Sequence, residues 1–209
     1  MASHVDPESA AQWQQWRDSL RAEASIGADL QYLFEDLTRA IAARGPTCWT
    51  SGRCCNFNAY GHRLYVTGLE IVWLLEQLHA PNEIARDADA PSPRSGIALP
   101  TLAGTGSISV RSQKSGIENL RADAIDLAAP CVFQRNNLCT VHAIRPLGCR
   151  VFFCQQGTQD WQHDLYENFQ QRLRQMHEQR RLPYRYLEWR AGLQEALTVL
   201  GPVAWNKAD

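Results

Sequence analysis

Hydrophobic positions recur at helical spacing in four stretches of the chain. Over residues 8–24, Trp13, Trp16, Leu20 and Ala24 share one face among Gln, Arg, Asp and Glu, and Gly27 is a plausible stop. Over 29–43, Leu30, Leu33, Phe34, Leu37 and Ile41 repeat the pattern, with Asp29 as N-cap and Gly45-Pro46 ending the run. A short connection between the two predicts an antiparallel helical hairpin. A second pair is predicted near the C-terminal end. Trp161, Leu165, Phe169, Leu173 and Met176 form a stripe over 159–181, Leu182-Pro183 punctuates, and residues 184–200 follow up to Gly201-Pro202.

Between these pairs the pattern changes. Arg63 to Val66 reads as a short strand. Thr67-Gly-Leu-Glu70 matches a capping box, in which the Thr hydroxyl accepts from the N3 amide and Glu70 reaches back. The helix it opens, through Ile71, Val72, Trp73, Leu74 and Leu75 to about Leu78, is apolar all round and therefore predicted buried. Residues 80–106 hold prolines and glycines without any period and read as a mobile surface linker. One weak helix is predicted over 113–127. Asn136-Asn137 reads as a turn between two extended pieces, and Pro146-Leu-Gly148 as a break before Cys149. The fold class is mainly α. It is expected to form a single domain over 1–209: an N-terminal hairpin (8–45), a cysteine-bearing core (46–155) with its linker, one possible short β-hairpin, and a C-terminal hairpin (158–201).

Composition narrows the class. The 209 residues carry 21 basic and 22 acidic side chains, a formal net charge of −1. Such balance speaks against a nucleic-acid or anionic-membrane footprint. Only Lys114 and Lys207 are lysines. The longest apolar run, Ile71 to Leu75, is too short to span a bilayer, and the first residues lack the apolar core of a signal peptide, so a cytoplasmic protein is expected. The chain has no Walker A, G-x-S-x-G or H-E-x-x-H motif. Gly104-Thr-Gly106 resembles part of a nucleotide-binding loop but lacks the third glycine, which favours an ordinary loop. The arginines at 172, 174, 180, 181, 185 and 190 read as a solvated helix surface whose stems cover apolar area.

Seven cysteines change the picture. They fall into two groups: Cys48, Cys54 and Cys55, then Cys131, Cys139, Cys149 and Cys154. In a reducing compartment clustered thiols point to metal or redox chemistry rather than disulfides. The spacings are C-x5-C-C, C-x7-C, C-x9-C and C-x4-C, with no C-x2-C knuckle. Cys54 and Cys55 are neighbours with α-carbons about 3.8 Å apart, and in extended backbone their side chains point oppositely. Joint ligation therefore needs a contorted loop. A closed zinc site or a [4Fe–4S] cluster wants about four ligands. The first group comfortably gives two, so the rest are expected from the second, Cys139 and Cys149 first. Spare thiols and mixed spacing fit an iron–sulfur cluster somewhat better than a zinc or iron ion; His62 and His142 lie near enough to be considered but read as packing or surface residues.

These residues carry a resemblance. Cys48-Trp-Thr-Ser-Gly-Arg-Cys54-Cys55, Cys131-Val-Phe, and Cys139-Thr-Val-His-Ala-Ile-Arg145-Pro146-Leu-Gly-Cys149-Arg150 resemble the YkgJ-type cysteine-cluster family, described as a zinc- or iron-chelating domain. The likeness covers roughly residues 46 to 155, and its specific part is C-x9-C-R with internal Arg-Pro. Ser51 stands where that family usually has a second cysteine, His142 where it has tyrosine, and Val132 where proline follows the cysteine. The resemblance implies that Cys48, Cys54, Cys55, Cys131, Cys139 and Cys149 are metal ligands. Cys154, outside the pattern, is a bystander or a substitute. Arg145 and Arg150 would offset thiolate charge or bind an anion beside the centre. Flagellin lysine N-methylases share the family name, which implies cluster-assisted modification of a protein substrate. The competing expectation is a structural zinc scaffold that binds a protein partner without catalysis.

Overall fold

A computed structural model describes residues 5–47, 51–79 and 117–206. Cys48 and the 80–106 linker lie outside these residues. Helices dominate: α1 Pro7–Ala22, α2 Ala24–Ala42, α3 Phe57–Tyr60, α4 Gly68–His79, α5 Leu147–Val151, α6 Gln159–Gln179 and α7 Trp189–Leu200. Three antiparallel pairs of short strands accompany them. β1 (Tyr65–Thr67) pairs β5 (Tyr186–Glu188), β2 (Ile117–Leu120) pairs β6 (Val203–Asn206), and β3 (Gln134–Arg135) pairs β4 (Leu138–Cys139). The fold is mainly α. Among the described residues no helix is long and apolar enough to cross a membrane.

The helices begin where side chains satisfy their first amides. Asp6 accepts from Ser9 N–H at 2.9 Å with Pro7 at N1, and Glu188 accepts from Ala191 N–H at 2.9 Å. Thr67 and Glu70 form the reciprocal box at the start of α4. α4 is buried as its composition predicts: Leu69, Ile71, Val72, Leu74 and Leu75 are all enclosed.

Several expectations are corrected. Gly27 does not end a helix. The break falls at Glu23, whose backbone is extended, and Gly27 and Asp29 sit inside α2, where Asp29 accepts from Arg180 Nε at 2.9 Å. The weak helix over 113–127 is instead β2 from residue 117 onward, followed by a 3-10 turn at Ala122–Ala124; its partner β6 lies past Gly201-Pro202, where the pattern predicted only a stop. Residues 186–188 pair with β1 before α7 begins. Pro146 does not keep Cys149 out of a helix. It precedes the first turn of α5, which contains both Gly148 and Cys149, because a proline needs no helical acceptor there.

The N-terminal hairpin does not stand apart. The indole N–H of Trp13 donates to Glu195 at 3.0 Å and that of Trp16 to the Pro183 carbonyl at 2.9 Å, tying α1 to the C-terminal elements. Both tryptophans are fully buried and meet edge to face at 5.0 Å. Arginines predicted to form a solvated surface are largely engaged in ion pairs: Arg172 with Asp36, Arg180 with Glu23 and Asp29, Arg185 with Glu195, and Arg190 with Glu188.

Candidate metal centre

Five cysteines from three separate segments line one small cavity of about 20 Å³: Cys54, Cys55, Cys131, Cys139 and Cys149. Gly52 adopts a left-handed φ of 69° and opens the 3-10 turn Arg53–Cys55. That turn turns both neighbouring side chains the same way, so the Sγ atoms of Cys54 and Cys55 stand 3.8 Å apart. The contorted loop that joint ligation demands is therefore this one tight turn.

The second segment is fixed to the first by backbone. Cys131 N–H donates to the Cys55 carbonyl at 2.7 Å. Cys131 then leads into the β3–β4 hairpin, whose Asn136-Asn137 turn has positive φ at both residues (46° and 65°), and β4 ends on Cys139. The hairpin also grips the Cys54–Cys55 turn, since Gln134 Nε2 donates to the Gly52 carbonyl at 2.8 Å. Cys149 arrives from α5. Phe57, Phe133, Val141, Pro146 and Trp189 close the walls, and the Trp189 indole N–H points at Cys131 Sγ from 3.3 Å.

The electrostatics are those of crowded thiols. Cys55 contacts the sulfurs of Cys131, Cys139 and Cys54, and its own thiol is pushed up first because its S–H can donate to theirs, then by burial and by the charge of Cys131. Its single proton serves one neighbour at a time. Cys54 is lowered to about 6, first by the Cys55 hydrogen bond and further by Arg145. Cys139 is lowered to about 7 by the Cys55 hydrogen bond, a backbone amide and Arg145. Cys131 is lowered by Cys55 and then Trp189, while burial and the surrounding thiolates push Cys149 up. Arg145 is the cation at this cavity, and its Nε is buried with no hydrogen-bond partner among the described residues.

The other residues singled out from sequence lie elsewhere. Arg150 turns away from the sulfurs: it donates to the Arg145 and Ala143 carbonyls at 2.7 Å each and lies 4.5 Å over the Phe34 ring. Cys154 is outside the cavity, 3.4 Å from Ser51 Oγ. His62 stacks on Phe152 and meets Phe57 edge-on, and His142 is exposed. Sequence reasoning missed Trp189 and Phe133, the aromatic walls; nothing local distinguishes them from ordinary core residues. Cys131 and Trp189 also border a larger cleft of about 430 Å³ between α7, β6 and the segment before Cys131.

As they stand, no three Cys, His, Asp or Glu side chains among the described residues are arranged to hold a metal ion. The donor set nevertheless fits a soft or borderline ion in kind: five sulfurs on one cavity, with the Arg145 side chain beside them. Comparison with known proteins adds no relative: no family model matches the chain, and neither does any curated protein or solved structure.

Proposed function

We propose that the chain is a metal-binding protein whose two cysteine groups jointly hold one zinc or iron ion. The observation that carries this reading is the convergence of Cys54, Cys55, Cys131, Cys139 and Cys149 on one cavity. Two magnitudes favour a single ion over an iron–sulfur cluster. Zn–S bonds near 2.3 Å place tetrahedral thiolates about 3.8 Å apart, and Cys54 and Cys55 already stand at 3.8 Å. A cavity of about 20 Å³ suits one ion-sized occupant. Four of the five thiolates, Cys149 among them, would ligate, and the ion would supply the positive charge that lets all four ionise together. Arg145 would offset the excess negative charge of such a centre.

The enclosed walls favour a closed, structural centre, which clamps the Cys54–Cys55 turn to the β3–β4 hairpin and α5 and leaves the outer surface for a protein partner. Cluster-assisted modification such as lysine N-methylation rests on the motif resemblance alone.

Anaerobic purification under reducing conditions, followed by metal analysis and an absorption spectrum, tests the reading. Colourless protein with stoichiometric zinc, or iron without inorganic sulfide, is expected. Brown protein with sulfide would replace the ion by a cluster, and metal-free protein would overturn the reading. Cys149→Ser is expected to lower bound metal and the melting temperature together, since metal affinity is folding free energy when the apo site is not preformed. Cys154→Ser should retain the metal.

A further inference from the structure

Glu70 does more than cap its helix. Its residue is 1% exposed. Oε2 accepts from the Thr67 amide at 2.8 Å and the Thr67 hydroxyl at 3.0 Å. A capping box needs only that oxygen. Oε1 is spent elsewhere: it accepts from the Leu147 amide at 2.8 Å, 77 positions along the chain. Leu147 opens α5, and a first-turn amide has no acceptor within its own helix. Two residues later the same short helix presents Cys149 to the thiol cavity.

A fully buried carboxylate is costly unless its oxygens are satisfied. Three donors and the nearby charge of Arg150 offset part of that cost, though burial still holds the carboxyl above its ordinary value. Other contacts hold α5 from the side. Gly148 lets it close on Leu64 and the Tyr65 carbonyl, where a Cβ would come within 2.7 Å and 3.2 Å. Arg150 ties the α5 helix back to the preceding loop. Glu70 alone among these holds the N-terminal amide, from the buried first turn of α4.

We infer that Glu70 is a positioning residue for the thiol cavity: its Oε1–Leu147 bond sets the place of Cys149 relative to the other four sulfurs. This rests on the metal reading above, and the experiment separates the two.

Zinc affinity is measured on the full chain by competition with a chromophoric chelator, and site geometry by the d–d and charge-transfer bands of the cobalt(II) form. Glu70→Gln keeps one acceptor but turns an amide donor toward the other partner. It should weaken zinc binding about tenfold, the usual cost of losing an outer partner of a ligand, and shift the cobalt bands. Thr67→Val removes the hydroxyl of the cap and leaves the Leu147 bond. It should lower the melting temperature and leave zinc affinity and the cobalt bands unchanged. Equal effects of the two variants, or no effect of Glu70→Gln, would overturn the inference. Should Glu70→Gln not fold, Glu70→Asp takes its place, because it keeps the charge but is one methylene short of spanning both partners. Wild-type protein that binds neither zinc nor cobalt would sink the metal reading only. The positioning role is then decided by alkylation of Cys149 in the metal-free chain: faster labelling in the Glu70 variant than in Thr67→Val supports it, and equal rates overturn it.

Discussion

His177 shows how one buried side chain fixes a protonation state. It is fully enclosed near the end of α6, and its Nδ1 lies 2.7 Å from the Pro183 carbonyl. A carbonyl only accepts, so Nδ1 carries the proton and Nε2 keeps a lone pair, buried without a partner among the described residues. Burial holds this imidazole below its ordinary value. The unfolded chain therefore binds the proton first as pH falls. The stabilisation is complete above an unfolded value of about 6.5 and is lost as pH drops through that value toward the folded one. Urea midpoints of the wild type should fall between pH 7 and 5, and those of His177→Phe should fall less; parallel curves would remove His177 as the cause. No sequence pattern announces this residue, because its acceptor lies beyond the helix in a turn. Glu70 is the intermediate case. Its cap on Thr67 is readable from four consecutive residues, whereas its bond to Leu147 depends on tertiary packing.

Among the elements, the long helices, the short strand near Val66 and the Asn136-Asn137 hairpin were legible, whereas β2, β5 and β6 were not. α2 and α6 carry enough apolar positions for periodicity to show, and α4 announces itself by its capping box and unbroken apolar run. β2, β5 and β6 have three or four residues each and owe their existence to a partner distant in sequence. The same limit applies to the site. The pairing of two cysteine groups follows from ligand number, but the 3-10 turn that aligns Cys54 with Cys55 depends on Gly52 packing against the β3–β4 hairpin. Close approach at element joints gives a direct test. Gly68 starts α4 against the ring of Trp16, where an added Cβ would lie 2.1 Å from a ring carbon. A buried indole has little room to retreat, so Gly68→Ala should cost about 2–3 kcal/mol of stability by denaturant unfolding. Gly61 has open space around it but a left-handed φ of 66°, so Gly61→Ala should cost only about 1 kcal/mol, from backbone strain rather than overlap. Equal losses would mean that the contact with Trp16 relaxes freely.

For the whole molecule, the last strand braces the wall of the thiol cavity. Trp205 on β6 is buried and meets Phe133 edge-on at 5.2 Å, with the Arg135 guanidinium 5.6 Å from its ring. Trp205→Ala should therefore cost about 3–5 kcal/mol, measured by urea unfolding, and weaken metal retention although it touches no sulfur. Unchanged metal retention at matched folded fraction would show that Phe133 holds without it. The docking of α1 on Glu195 and Pro183 sets an order of events during synthesis. A ribosome working at about 5–20 residues per second needs on the order of 10 s to pass from Cys55 to Trp189. Throughout that interval the vicinal thiols lack the Trp189 wall, and the first helix lacks its anchor at Glu195. The nascent chain thus offers oxidants and stray soft metals a pair of sulfurs that the finished protein encloses, and its yield should depend on how reducing the cell is while the chain is made.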